Sequence, residues 1–349
     1  MCIRDSVGPG HRWYEMTVDL ARRLSDALDR EFLLSGVPVH VEASIGIARF
    51  PHDGRDATAL LRCADSAMYA AKDLSTELEL FDGERDHHSP TRLKRLGELR
   101  QALTRGELVL HYQPKLRLGD GDVTGVEALV RWNHPTRGQI EPSAFIPLAE
   151  ETGQIPTIGL WVLRTALHEV GTLECAPDEL MVSVNVSTRQ LEQETFADQI
   201  AQVLVETEFP AGMLTLEITE SALMRDPETL LRQLELVKRL GVTIAVDDFG
   251  TGYSSLAYLA RLPIDLVKID RSFISGVAST NRDSRIAQMI MGIGSSLSLR
   301  TVAEGVEQQR QLDALESLGC EFAQGYLFSP AVPIDRLCEL VAEGIPVRA

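Results

Sequence analysis

The sequence predicts an α/β chain whose last two-thirds close into a (β/α)8 barrel with one antiparallel strand, preceded by a smaller, incomplete α/β piece. Three observations predict it. From residue 107 onward, strand-like and helix-like runs alternate. About eight strand candidates fall within ~240 residues, which is the size of such a barrel. The first two candidates are separated only by RLGDGD, too short for a parallel crossover, so they pair as a hairpin and one strand runs against the rest.

Taken in order, residues 1–10 (MCIRDSVGPG) carry no periodicity and are set aside. A small α/β piece is expected over 11–84. VDLARRLSDAL has helical spacing. VPVHVEASIGIARF reads as one strand, or as two with a break. DATALLRCADSAMYAAKD reads as an amphipathic helix with Leu60, Leu61, Ala64, Met68 and Ala71 on one face. One or two strands in about 70 residues do not make a covered sheet, so the piece reads as incomplete. FDGERDHHSPTRLKR is polar and charged, and a linker is placed at 85–94, entering the helix LKRLGELRQALTRG. The adjacent His87 and His88 in this polar run are read as solvated side chains rather than metal ligands.

The barrel is expected over 95–345. Its strands are LVLHYQPKL, VTGVEALVRW, LMVSVNVS, MLTLEIT, VTIAVDD, IDLVKID, RTVAEGV and the short CEFAQG. Between them lie the helical runs SAFIPLAEETG, WVLRTALHEV, FADQIAQVLVE, PETLLRQLELVKRL, SRIAQMIMGIGSSL and QRQLDALESLG.

A barrel strand turns one face to the helices and the other to the interior. In MVSVNVS, Val182, Val184 and Val186 share one face and leave Ser183 and Asn185 on the other. LTLEIT sets Glu217 opposite Leu214, Leu216 and Ile218; VTIAVDD sets Asp247 opposite Ile244 and Val246. Glu127, Leu129 and Arg131 share a face of GVEALVRW, as Lys268 and Asp270 do in IDLVKID. Five strands therefore turn a polar group inward, mostly near their carboxyl ends, where barrel active sites are built. Asp248 reaches the same site as Asp247 only if the chain leaves the strand there, a turn that FGTG is expected to supply.

A buried carboxylate must be paired or bound to metal. Oxygen donors gathered from separate strands suit Mg²⁺ or Mn²⁺. Glu127, Asn185, Glu217 and Asp247 are the expected ligands of one ion, with Asp247 and Asp248 sharing a second. Lys268 is expected to orient a water or to neutralise charge; the plainer alternative is a salt bridge to Asp270 or another site carboxylate. Glu304, ending the seventh strand, is a candidate general base or ligand, and Arg131 has the fork geometry to grip a phosphate. The loop DDFGTGYSSLAYL is placed to close over substrate or to tie the metals to a dimer contact.

Bulk composition limits the partners. Hydrophobic residues make up 44% and charged residues 24%, an ordinary globular balance that allows a sizeable core. The formal net charge of −17 repels nucleic-acid backbones, so no DNA or RNA polymer is expected. The five cysteines are widely spaced, odd in number and free of any CxxC pair, which implies no disulfide framework and fits a reducing compartment. Neither a membrane-spanning run nor a signal layout is evident, and the cytoplasm is the expected location.

GVEALVRW, VNVS, LEITE, DDFGTGYSSL, LVKIDRSFI, VAEGVE and QGYLFSP, in this order, resemble the EAL-domain cyclic-di-GMP phosphodiesterases of bacteria. The resemblance implies a modified TIM barrel that uses two ions, Mg²⁺ or Mn²⁺, to hydrolyse cyclic di-GMP to linear pGpG. It implies metal ligands at Glu127, Asn185, Glu217, Asp247 and Asp248, and catalytic roles for Lys268 and Glu304. Substrate contacts are implied at Gln113, Leu129, Arg131, Asp270 and Gln324. Glu220 is implied to stabilise the loop, with Glu307 as a supporting residue. The same resemblance implies a homodimer through this domain. The alternative is a non-catalytic cyclic-di-GMP receptor, against which the complete acidic set argues. A scaffold or dimerisation protein would leave that buried acidic cluster an unexplained cost. ASIGIARFPHDGRDATALLRCADSAMYAAK resembles the carboxyl-terminal part of a GGDEF diguanylate cyclase domain, without the GGDEF signature, so a truncated GGDEF–EAL chain with no cyclase activity is expected.

Overall fold

The computed structural model describes residues 13–28, 32–34, 37–39, 44–73, 76, 78–82, 90–173, 180–224, 227–251, 256–279 and 282–345. The expectations for residues 1–10, for His87 and His88, and for Gly252 to Ser255 of the Gly-rich loop lie outside the described residues. The chain separates into two compact units, Met1–Glu98 and Leu99–Ala349.

In the first unit, helix α1 (Trp13–Leu28) precedes an antiparallel pair, β1 (Phe32–Leu34) and β2 (Val37–Val39). Strand β3 (Ile45–Ile47) and strand β4 (Leu78–Leu80) pair in parallel, with α2 (Ala57–Asp73) as the crossover between them. A Cβ on Gly46 would collide with the backbone of Ala64 and Met68, so only glycine lets the helix lie this close to the strand. The helix therefore turns its small residues inward: Cys63, Ser66, Ala67, Ala70 and Ala71 are buried. Leu61, expected on that face, is 44% exposed. It sits about a third of a turn from Ala67, off the contact stripe.

Helix α3 (Pro90–Ala102) spans the boundary and leads into the barrel. Strands β5 (Leu108–Arg117) and β6 (Val123–His134) form the expected hairpin, and β7 (Gly138–Ile140), which was not expected, folds back on the end of β6. After a 3₁₀ turn at Pro142–Ala144 come α4 (Ile146–Glu151) and α5 (Ile155–Gly171), then β8 (Met181–Asn185), α6 (Thr188–Leu191), α7 (Phe196–Thr207) and a second 3₁₀ turn at Ala211–Met213. Strand β9 (Leu214–Thr219) runs into a third 3₁₀ turn, Glu220–Met224, followed by α8 (Pro227–Arg239) and β10 (Thr243–Phe249). The chain ends through α9 (Leu256–Leu259), β11 (Leu266–Ile269), α10 (Arg271–Ile274), α11 (Arg282–Ser296), β12 (Arg300–Ala303), α12 (Gln309–Ser317), β13 (Phe322–Ala323) and α13 (Ile334–Glu343).

Around the barrel the order is β5-β13-β12-β11-β10-β9-β8-β6, closed by the pairing of β6 with β5. Strand β5 is antiparallel to both its neighbours, and the other barrel pairings are parallel. Alternation sets the two faces. Val182, Val184, Leu214, Leu216, Ile218, Ile244 and Val246 are fully buried beneath the helices. Each such side chain contributes about 1.5–3 kcal/mol of burial energy. The helices answer with stripes at three- and four-residue spacing, such as Ile155, Ile158, Val162, Leu163, Ala166 and Val170 on α5.

Cys63 and Cys320 are buried free thiols. No described helix is long and apolar enough to cross a membrane.

Candidate active site

The register of the parallel strands steps the inward polar residues two positions at a time toward the carboxyl ends: Glu127 lies beside Ser183, two residues before Asn185; Asn185 lies beside Glu217; and Asp247 lies beside Thr219, two residues after Glu217. Between β10 and β11 the register shifts: Val246 pairs with Val267, but Phe249 pairs with Ile269. Two residues, Asp247 and Asp248, therefore oppose the single Lys268, which makes this a β-bulge. Asp248 takes a positive φ of 53°, a conformation that aspartate tolerates better than most residues. The expected departure from the strand thus occurs at Asp248 itself, ahead of FGTG, and re-aims the second carboxylate.

Lys268 is fully buried at the centre of the cluster. Its Nζ lies 2.5 Å from Glu217 Oε2, 2.6 Å from Glu304 Oε1, and 3.2 Å from both Glu127 Oε2 and Asp247 Oδ1. Of the two alternatives weighed for this lysine, the ion pairs it makes are with these four carboxylates. Asn185 Nδ2 donates to Glu127 Oε1 at 2.8 Å, and Gln324 Nε2 donates to Glu127 Oε2 at 2.7 Å and to Glu304 Oε1 at 2.9 Å. Gln324 Oε1 is buried with no hydrogen-bond partner.

The electrostatics are those of a cluster short of positive charge. Burial would lower Lys268, but Glu127, Glu217, Glu304 and Asp247 hold it well above the usual lysine range. Burial would raise Glu127, but Lys268, Lys115 and the hydrogen bonds from Gln324 and Asn185 hold it down to about 2. Burial and the Glu127 charge raise Glu217. Burial pushes Glu304 up to about 8, with Asp247 and Glu127 adding to it against the pull of Lys268. Burial, Asp247 and Asp270 push Asp248 up to about 6. Carboxylates that hold protons near neutral pH are carboxylates for which a bound cation would substitute.

The donor set fits hard divalent ions. Every candidate ligand is a carboxylate or amide oxygen. Asp247, Asp248 and Glu304 each place an oxygen within 4.8 Å of the others. Glu127, Glu217 and Asp247 meet them through the common contact to Lys268, whose ammonium occupies part of the electrostatic role a cation would take.

Around this centre the remaining residues hold the walls. Glu220, buried at the start of its 3₁₀ turn, accepts from the Gly250 N–H at 2.8 Å. Asp270 caps α10 by accepting from the Ser272 N–H at 3.0 Å. Gln113 Nε2 donates to the Ser329 carbonyl at 3.2 Å. Arg131 Nε pairs with Glu141 Oε2 at 3.2 Å, and Leu129 is half-buried two residues before it. Glu307 is exposed, and its backbone N–H, rather than its carboxylate, is engaged, donating to Gln311 Oε1 at 2.8 Å. The structure thus gathers Glu127, Asn185, Glu217, Asp247, Asp248, Lys268, Glu304 and Gln324, sets Glu220 behind them, and leaves Glu307 outside the cluster.

Lys115 was not singled out from the sequence, yet it enters this site. Its Nζ lies 2.8 Å from Ser183 Oγ and 3.2 Å from Glu217 Oε1. The signal was present: Lys115 shares the alternating face of His111 and Gln113 on β5.

Residues 96–331 match the EAL domain family, and residues 14–77 match the family described as diguanylate cyclase, GGDEF domain. The chain is 42% identical over 325 residues to the bifunctional diguanylate cyclase/cyclic di-GMP phosphodiesterase MucR of Pseudomonas aeruginosa, covering 93% of this chain and 47% of that protein. It is 41% identical over 324 residues to the cyclic di-GMP phosphodiesterase NbdA of the same organism, covering 92% of this chain and 41% of NbdA. The chain therefore spans less than half the length of these relatives. A solved structure described as PaMucR phosphodiesterase, c-di-GMP complex, superposes with a TM-score of 0.67 at 44% identity, covering 70% of this chain and 99% of that one.

Proposed function

The chain belongs to the EAL domain family, and from that membership we propose that it hydrolyses cyclic di-GMP to linear pGpG with divalent metal ions, Mg²⁺ or Mn²⁺. The observation that carries this reading is the convergence of Glu127, Glu217, Asp247 and Glu304 on one buried lysine at the barrel mouth, with Asp248 turned in by the bulge. Catalytic relatives and the cyclic di-GMP complex of a near neighbour support the substrate. The barrel is assigned to 95–345, the linker to 85–94 and the GGDEF-like remnant to 11–84.

Glu127, Asn185, Glu217 and Asp247 would hold one ion, and Asp247 with Asp248 the second. Such ions supply Lewis-acid charge and lower the pKa of a bound water. The chain's own groups do the rest. Lys268 keeps Glu127, Glu217 and Asp247 from repelling one another and donates a hydrogen bond toward the reacting oxygen. Glu304, held by Gln324, takes a proton from the attacking water as general base. Arg131, once released from Glu141, grips a phosphate or guanine edge, with Gln113, Leu129 and Asp270 lining the same mouth. Glu220 fixes the turn that follows Asp248. Homodimerisation through the barrel and a cytoplasmic location complete the proposal.

Purified chain incubated with cyclic di-GMP and Mg²⁺ or Mn²⁺ should yield pGpG, and chelation should stop it. Tight binding with no turnover under either metal would refute the enzyme and support the receptor.

A further inference from the structure

Lys115 occupies a position that the proposed chemistry leaves unexplained. It lies opposite Gly125 on β6, two residues before Glu127, whose own partner is Gln113. Its ammonium therefore enters one layer farther from the mouth. There it meets Ser183 Oγ at 2.8 Å and Glu217 Oε1 at 3.2 Å. Glu217 already has Lys268 on its other oxygen, Oε2, at 2.5 Å. Lys268 is shared among four carboxylates, whereas Lys115 forms its ion pair with Glu217 alone, and burying an ammonium costs several kcal/mol. The Glu217 carboxylate has no exposure, and Lys115 keeps only 9%.

We infer that Lys115 is a positioning residue that makes Glu217 present a single oxygen to the cation site, biasing that site toward small octahedral ions and against Ca²⁺. The inference rests on the cation site proposed above. Lys115 commits Oε1 from the barrel interior, so only Oε2, the oxygen shared with Lys268, turns toward Glu127, Asp247 and Glu304. Mg²⁺ demands near-ideal octahedral geometry, whereas Ca²⁺ takes six to eight ligands and often both oxygens of one carboxylate. Ser183 holds the ammonium in place, so it shares the role at one remove.

The test is equilibrium binding of Mg²⁺ and Ca²⁺ to the full chain without nucleotide, by titration calorimetry, for wild type, Lys115→Met and Ser183→Ala. Loss of a positive charge strengthens both divalent ions alike, so the ratio of the two affinities isolates the denticity of Glu217. The ratio should move toward Ca²⁺ by about tenfold in Lys115→Met, the lower end of what partners behind a metal ligand control. Ser183→Ala should move it the same way by about two- to threefold, and decides the matter if Lys115→Met does not melt like the wild type. An unchanged ratio in folded variants, or a shift toward Mg²⁺, overturns the inference. A wild type that binds neither ion overturns the cation site itself, and this role with it.

Discussion

Glu220 Oε2 accepts a hydrogen bond from the Gly250 N–H at 2.8 Å, two residues past the bulge that turns Asp248 inward. The carboxylate is buried, so the bond exists in a low-dielectric setting where losing it leaves an unpaired amide. Glu220→Ala is expected to lower metal affinity about 10–100-fold, as removal of partners behind metal ligands does. Glu220→Gln keeps an acceptor and should recover part of the loss. Metal titrations of activity on both variants, with thermal melts to confirm folding, check this.

Glu127→Ala and Asp247→Asn should each reduce turnover by about 10²–10³-fold or more, because each weakens the hold on the ions whose positive charge would stabilise the reacting group. Asp247→Asn also relieves repulsion with Asp248 and Glu304. Its metal-free melting temperature should therefore be no lower than that of the wild type. A variant with near-normal rates would contradict the ligand assignment.

Glu141 competes for Arg131. The pair lies at the rim, with the Glu141 side chain 60% exposed, and such pairs are worth roughly 0.2–1 kcal/mol. Glu141→Ala frees the guanidinium and removes a negative charge from the path of an anionic substrate. KM should fall by up to about fivefold with kcat unchanged, the factor to which ~1 kcal/mol converts. Steady-state kinetics separate the two; a higher KM would mean that Glu141 helps substrate binding.

The raised carboxylates make a signed pH prediction. Asp248 at about 6 and Glu304 at about 8 both lie above ordinary unfolded values. Between about pH 4 and 8 the folded, metal-free chain thus binds more protons than the unfolded chain, and stability falls as pH rises through that window. Divalent ions bound by the cluster would replace those protons. Melts of the metal-free chain should therefore fall from about pH 5 to 8, and added Mn²⁺ should flatten the trend and release protons. A metal-free melting temperature that climbs with pH would contradict these shifts.

Much of the site was legible because strand alternation is strict. Period two alone turns Glu127, Asn185, Glu217, Asp247 and Lys268 inward, and strand length puts them near one end. The bulge was only half legible. Asp247 and Asp248 required a break, but sequence placed it in FGTG, whereas the backbone turns at Asp248, where aspartate tolerates positive φ. Lys115 was missed because β5 runs antiparallel, so its carboxyl end, where Lys115 lies, is remote from the carboxyl ends of the other strands, where the site was sought. Leu61 was misplaced because the helix contact is set by the close approach at Gly46, not by the mean apolar face. Strand β7 is three residues long, and two of them are exposed, so no apolar pattern marks it.

The central claim is that this carboxylate cluster is a two-cation site, and anomalous diffraction from crystals of the chain grown with Mn²⁺ tests it most directly. Two peaks about 3.5–4 Å apart are expected, one against Glu127, Asn185, Glu217 and Asp247, the other against Asp247 and Asp248. Crystals saturated with Mn²⁺ that show no peak within bonding distance of Asp247 would contradict it.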